Sequence, residues 1–593
     1  MSLGRLSGPS AQIGFVCLAS VALSAQPALA EKVKTKTRPA APAVSYSVSV
    51  PSVSAVESSL TDAAIAEILR GNVADNAEAL ATLDARSIDV PEVTVEITTS
   101  QDGTTEKATL TFTDLHLDNV EDGIADSVTL GGSSLAGDEA SADFGAMTAA
   151  NVDIGGILGF YGLVDGGNQT ELRTIYTDFS MDGGSLSAED VSCTIGAASV
   201  GEVKARPLEM GLGDMMALAS TLEDDPDNPD PAVIGQVLRM YADILTALET
   251  SEMTFDGFAC DGADDEGRPM TFAIDGMTLA GFKPGFYPAF SMDGLAVDVE
   301  GDGSMQLDNF TFKQMDLSNT IATLEQAPEM VDEAWLEANA RALVPAFEGL
   351  SFSGLAIDIP DPDDEDQRIK ADIGGFDLTL GHYINGIPSA IDTSASNIQV
   401  ALPPDSDDEQ IQQLLALGIT DIDAGFRFAA AWNADSQSID IEEASLDGAG
   451  LASIVLAGRI ANATEALFSL DEDEALMAGM GVAVKSLDLT VTDKGLADIV
   501  LALAAAEQGA DPASLRPVFA GLAEGTIVGM MAGAADAAKL GKAVNSFVSG
   551  AARTLNITID AKEDPGLGMA DFMAAEDDPT LLLGKVDIGA TAK

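Results

Sequence analysis

The chain has 593 residues, with 96 Asp and Glu against 29 Lys and Arg and a formal net charge of −67. That charge repels phosphate backbones and excludes nucleic acid as a partner. A hydrophobic content of 46% excludes simple disorder, because it can fill a core. Aromatic residues make up 5% and include two Trp, which leaves few flat platforms for stacking sugars or bases.

Residues 1–30 read as a secretory signal peptide. Arg5 supplies the positive start, Ile13 to Leu23 the apolar run, and Ala28-Leu29-Ala30 the small-x-small cleavage site. Cys17 lacks the preceding Leu and small residue of a lipidation signal. The expected product is exported, periplasmic or secreted, with cleavage after Ala30. No later apolar stretch reaches the length of a membrane-spanning helix. Cleavage leaves two cysteines, Cys193 and Cys260. An even pair in an oxidising compartment reads as one disulfide, with two separate thiols as the alternative.

Residues 31–58 are rich in Pro, Ser and Ala and carry Lys32, Lys34, Lys36 and Arg38, so they read as a flexible basic leader. An N-terminal helix and β-rich domain is expected over 59–205. Next, a short motif recurs: two alternating apolar positions, Asp-Gly, then two more. Met253-Thr-Phe255-Asp256-Gly257-Phe258-Ala-Cys260 is one copy. Phe272–Leu279, Phe290–Val297 and Leu350–Ile357 are others, the last with Ser353 in place of Asp. Alternation predicts half-buried strands. The Asp-Gly step moves the apolar phase by one, which a bulge in a long strand or a two-residue hairpin turn would do; the bulge is preferred, because three-residue arms make weak hairpins.

Two α/β repeats are expected, over 206–305 and 306–405. Each has an amphipathic helix, an acidic break and strands, with Gly257 matching Gly354 and Gly285 matching Gly386. Asp230-Pro231 marks the start of the first helix. The section 406–593 reads as three antiparallel strands from Phe426 to about Ala463, then Ala- and Gly-rich helices near 496–507, 512–523 and 526–549. A strand at Leu555–Asp560 and a short tail complete it. The fold class is therefore α+β: long antiparallel, bulged sheets covered by amphipathic helices, elongated, with an Ala/Gly-rich helical C-terminal section.

Few residues point to chemistry. Asp224, Asp225, Asp227, Asn228 and Asp230 crowd one break, and Asp361, Asp363, Asp364, Glu365 and Asp366 another. Calcium is the cofactor such breaks would suit, and Asp298, Glu300 and Asp302 come nearest to a calcium loop, although Asn309 stands where its Glu belongs. His116 and His382 are too isolated to form a zinc set and read as ordinary residues. No phosphate loop, dinucleotide fingerprint or Gly-x-Ser-x-Gly elbow occurs, so the chain is read as non-enzymatic. Gly525, Gly529, Gly533, Ala537 and Gly541 recur every four residues, a pattern for close helix packing, whether within the chain or in an oligomer.

The expected function is a binder or carrier of an apolar, lipid-like ligand held between sheet and helices. The alternative is a structural or protein-interaction component of the cell envelope, oligomeric through the glycine-striped helix. An acidic calcium module or hydrolase is the third reading.

Overall fold

A computed structural model describes residues 43–593 apart from 72, 102–103, 139, 165–168, 189, 225–229, 265–266, 362–367, 405, 407, 532–535 and 577–579. The expected signal peptide, Lys32 to Arg38, Gly533 and most of both acidic breaks lie outside the described residues. The chain divides into two compact units, one of residues 1–220 and 247–281 and one of 221–246 and 282–593. These limits differ from the boundaries expected at 205, 305 and 405. The α/β segment 206–305 is shared between the two units.

The first unit is an antiparallel sheet in which many neighbouring strands are not consecutive in the chain. It opens with β1 (Ala43–Ser49), β2 (Ser54–Val56), α1 (Asp62–Leu69), α2 (Ala77–Ala81), β3 (Ala85–Gln101) and β4 (Thr104–Glu121). β1 and β2 both pair with β3, so residues 43–49 of the expected leader are strand. The alternation in Val44-Ser45-Tyr46-Ser47-Val48 is the reason. Next come β5 (Ile124–Leu130), β6 (Gly132–Gly137), β7 (Ala140–Phe144), β8 (Met147–Asp153) and α3 (Ile154–Phe160). β9 (Arg173–Met181), β10 (Gly184–Ala188), β11 (Val191–Ile195) and β12 (Ala198–Ala205) extend the sheet. After α4 (Leu212–Asp224) and α5 (Pro231–Thr246), the unit closes with β13 (Leu248–Thr250), β14 (Met253–Phe255), β15 (Phe258–Ala263), β16 (Pro269–Ile274) and β17 (Gly276–Leu279). Its main core joins Ile65 of α1 to Val90 and Val120 of β3 and β4.

The second unit, which includes α5, pairs its long strands in chain order. The set begins with β18 (Phe286–Tyr287), β19 (Phe290–Val299), β20 (Gly303–Phe312), β21 (Met315–Asp316), α6 (Ser318–Glu325) and α7 (Glu333–Asn339). Then come β22 (Ala346–Phe347), β23 (Gly349–Pro360), β24 (Arg368–Ile384), β25 (Ile387–Ala401) and α8 (Glu409–Ala416). β26 (Asp421–Asn433), β27 (Ser438–Gly448), β28 (Ala452–Ala461), α9 (Glu472–Met480) and β29 (Ala483–Asp493) continue the ladder. The last section holds α10 (Leu496–Gln508), α11 (Pro512–Met530), α12 (Ala537–Val548), β30 (Thr554–Ala561), β31 (Leu567–Gly568), α13 (Met569–Ala575), α14 (Thr580–Leu583) and β32 (Val586–Ala592).

Acidic side chains begin many of the helices. Asp408 accepts from Gln410 and Ile411 backbone N–H groups, Asp471 from Asp473 and Glu474, and Asp332 from Trp335. Each satisfies donors that a helix start leaves open. The Asp-Pro signals hold: Asp230 caps at Ala232 and Asp511 at Ala513.

The Asp-Gly motif is neither bulge nor hairpin. Phe255 pairs Met277 and Phe258 pairs Ile274, so register is the same on both sides of Gly257 and no extra residue is inserted. In the second unit the pairs Asp293–Asn309 and Leu295–Leu307 likewise keep register across Gly294. The motif is one point on a line that crosses the strands. Gly294, Asp308, Gly354, Gly374 and Asn397 stand level with one another on β19, β20, β23, β24 and β25. Gly294, Gly354 and Asn397, on alternate strands, take positive φ of 65°, 64° and 51°. Apolar parity changes across this line, from Met292 to Leu295, Phe352 to Leu355 and Ile373 to Phe376. True register shifts occur where the line reaches β26, between Ala395 and Ile398, and elsewhere, for example between Ala429 and Ala430.

Candidate functional site

Directly opposed residues of an antiparallel sheet share a face. In the second unit, Met292, Phe310, Phe352 and Phe376 are successive partners from β19 to β24. Through Ala395 the row continues to Phe426, Leu446, Ile454 and Val491, on β26 to β29. A parallel row passes Phe312, Leu350, Leu378, Phe428, Leu456 and Leu489. Between these rows the opposite face carries Ser351, Asp377, Ser394, Arg427 and Ser445. Ion pairs lace that polar face: Lys313 to Asp377 at 2.8 Å, and Arg427 to Asp392 at 2.9 Å and Glu443 at 3.0 Å.

The apolar face is half-buried along β19 to β25 and exposed on β26 to β28. Among the described residues of β19 to β28, Ala395 and Ala429 are the buried apolar side chains, and no Val, Leu, Ile or Phe there is buried. Phe426 is 37% exposed, Leu446 58% and Ile454 43%. The C-terminal helices cover the last strands of the ladder. Leu555 of β30 and Ala590 of β32 are buried, and α12 packs on both strands.

Where cover begins, a cavity of about 320 Å³, open to solvent on one side, lies between sheet and helices, and its lining residues Leu496 and Val500 are themselves exposed. Val491 and Ala452 form its sheet wall, α10 supplies Leu496, Val500 and Leu501, and α11 and α12 supply Phe519, Phe547 and Val548. Its charged lining residue is Asp493. Burial alone would raise that carboxyl, but backbone N–H groups of Ala497 and Gly495 and the Arg553 guanidinium at 2.6 Å hold it below its ordinary value. Arg516 pairs with Asp498 beside it, and Arg553 Nη2 lies 3.9 Å from Asp498.

The first unit has apolar rows of its own. Leu110, Leu135, Ala142, Leu186, Cys193, Cys260 and Phe272 are successive partners. Cys193 and Cys260 face each other across β11 and β15 and form the disulfide, with Cα atoms 4.0 Å apart.

The other expected residues are not gathered into sites. Asp298, Glu300 and Asp302 lie along the β19–β20 hairpin, where the Asp302 backbone N–H donates to Val299 and its carbonyl accepts from Arg368. Among the described residues no group of three or more His, Cys, Asp or Glu converges on a metal position. His116 pairs with Asp89 on the strand face at 2.8 Å, and the His382 carbonyl accepts from Ser389. The glycine stripe is divided between two helices: Gly525 and Gly529 on α11 face open space, while Gly541 on α12 packs against Val528 and Glu524 of α11. The expected single helix over 526–549 is therefore two. Among the described residues no helix is long and apolar enough to cross a membrane.

The Asp493–Arg553 pair escapes sequence reading because 60 positions separate its members. A family model described only as an uncharacterized protein matches residues 445–593, the segment that holds every residue lining the cavity. No curated protein and no solved structure matches the chain.

Proposed function

We propose that this chain is an exported, non-catalytic binder or carrier of an apolar, lipid-like ligand. The ligand lies along the apolar face of the second unit and reaches beneath its C-terminal helices. The supporting observation is the row Phe426–Leu446–Ile454–Val491, half-exposed at one end and roofed at the other. An apolar surface of this kind gains free energy when covered, at about 25 cal/mol per Å² of area removed from water. The polar reverse face, with its ion pairs, stays in solvent.

Protein purified from its own host and extracted with organic solvent should yield lipid by mass spectrometry. Phe428→Glu with Leu446→Glu should reduce that yield, because two carboxylates would then sit among apolar partners. A lipid-free wild type that also fails to take up lipid from vesicles would end the proposal. For the export component, N-terminal sequencing of the protein from its host should begin at Glu31.

A further inference from the structure

We infer that the cavity beneath α10, α11 and α12 receives the hydrocarbon chain of a single-chain anionic amphiphile, with the head group's carboxylate or phosphate against Arg553. This deepens the proposed function and rests on it. About 320 Å³ is at the low end of ligand pockets, which run from roughly 300 to 1,000 Å³, so there is room for one chain and not two. The walls are aliphatic and aromatic, with Asp493 as the exception. That carboxylate is saturated by two backbone N–H groups and Arg553, so it does not call for a cationic ligand.

Arg553 carries the head-group argument. Its Nη1 holds Asp493, its side chain is 55% exposed, and its Nη2 stands 3.9 Å from Asp498, beyond hydrogen-bond distance. Arg516 reaches the same Asp498. Two guanidinium groups, matched by the carboxylates of Asp493 and Asp498, thus meet behind the Asp493 wall of the cavity, in a chain of net charge −67, with part of the Arg553 fork still exposed. An anionic ligand approaching so acidic a protein needs a local cation, and a fork of Nη donors suits a carboxylate or a phosphate.

The test measures binding of dodecanoate, dodecyl phosphate, dodecanol and dodecyltrimethylammonium to the full chain by calorimetry. Ala497→Trp fills the cavity from α10 and Val548→Trp from α12; thermal unfolding checks that each variant is folded. Either should weaken dodecanoate by at least about tenfold. The double variant Asp493→Asn/Arg553→Gln, which leaves no orphaned charge, should weaken dodecanoate and dodecyl phosphate while leaving dodecanol unchanged. Dodecanoate binding that survives both Trp variants but falls in Phe428→Glu/Leu446→Glu overturns the cavity site and keeps the open-face reading. Dodecanol or the cationic amphiphile binding as tightly as dodecanoate overturns the anionic head group. Failure of all four probes, with no lipid extracted from the native protein, overturns both readings.

Discussion

Glycines in this chain serve opposite purposes, and two substitutions separate them. Gly354 has φ of 64°, and a methyl there would sit on the Asp308 carboxylate across the ladder. Gly354→Ala should therefore destabilise by about 1–3 kcal/mol, read as a lower urea midpoint. Gly529 lies on α11 with nothing within 4 Å of the position a Cβ would take. Gly529→Ala should stabilise by about 0.5–1 kcal/mol through helix propensity alone. A third residue, Asp493, ties stability to pH. Its carboxyl titrates lower in the folded chain than in the unfolded one, so the unfolded state takes up the proton first. The stabilisation is then complete above the unfolded value of about 3.9 and is lost as pH falls through the folded value. Asp493→Asn should cost about 1–3 kcal/mol at pH 7, and the gap from wild type should narrow in acid. A gap that stayed constant from pH 7 to pH 3 would contradict this assignment.

At the level of elements, the strands are legible in the sequence and their irregularity only half so. Alternation predicts the strands, and the shift of apolar parity at Asp-Gly is visible in residues 253–260, 272–279 and 290–297. A bulge is the natural expectation because a single strand viewed alone needs an extra residue to change phase. The register shows that neighbouring strands change phase at the same level, so pairing is kept with no insertion. That cooperation lies between residues on separate, paired strands, where the pattern of any one strand has no access to it. The helices are legible through Asp caps and apolar spacing. The break between α11 and α12 is not, since Ala and Gly run through it with no Pro or Asn signal near Met530 and Met531. The disulfide is legible from cysteine arithmetic, and the structure adds that it lies in an apolar row of the first unit. Cys193→Ser with Cys260→Ser should cost that unit about 2–4 kcal/mol. Both Trp residues, Trp335 and Trp432, belong to the second unit. Tryptophan fluorescence should accordingly report an unchanged unfolding midpoint while far-ultraviolet circular dichroism reports an earlier one. Coincident shifts in both signals would show that the two units unfold together.

For the whole molecule the acidic excess is both a structural resource and a load. Some carboxylates cap helices and others hold Arg or Lys across strands, as Asp392 and Glu443 hold Arg427. With 96 acids and 29 bases, at most a minority can be paired this way, and the remainder repel one another. Self-repulsion of this size opposes compactness, and added salt relieves it: the screening length is about 30 Å at 0.01 M and about 3 Å at 1 M. Surface ion pairs weaken under the same screening but contribute only about 0–1 kcal/mol each. Repulsion therefore dominates, and the melting temperature should rise between 0.01 and 0.5 M NaCl. Each kcal/mol of relief is worth about 2–4 °C in a unit of 150–250 residues. Calcium chloride separates screening from binding. If the acids act only as a diffuse charge, calcium and sodium salts should trace one curve when compared at equal ionic strength. A further rise at millimolar calcium, abolished by Asp298→Asn with Asp302→Asn, would mean that the β19–β20 hairpin gathers its carboxylates around the ion, and the calcium reading of that loop would then replace the diffuse one.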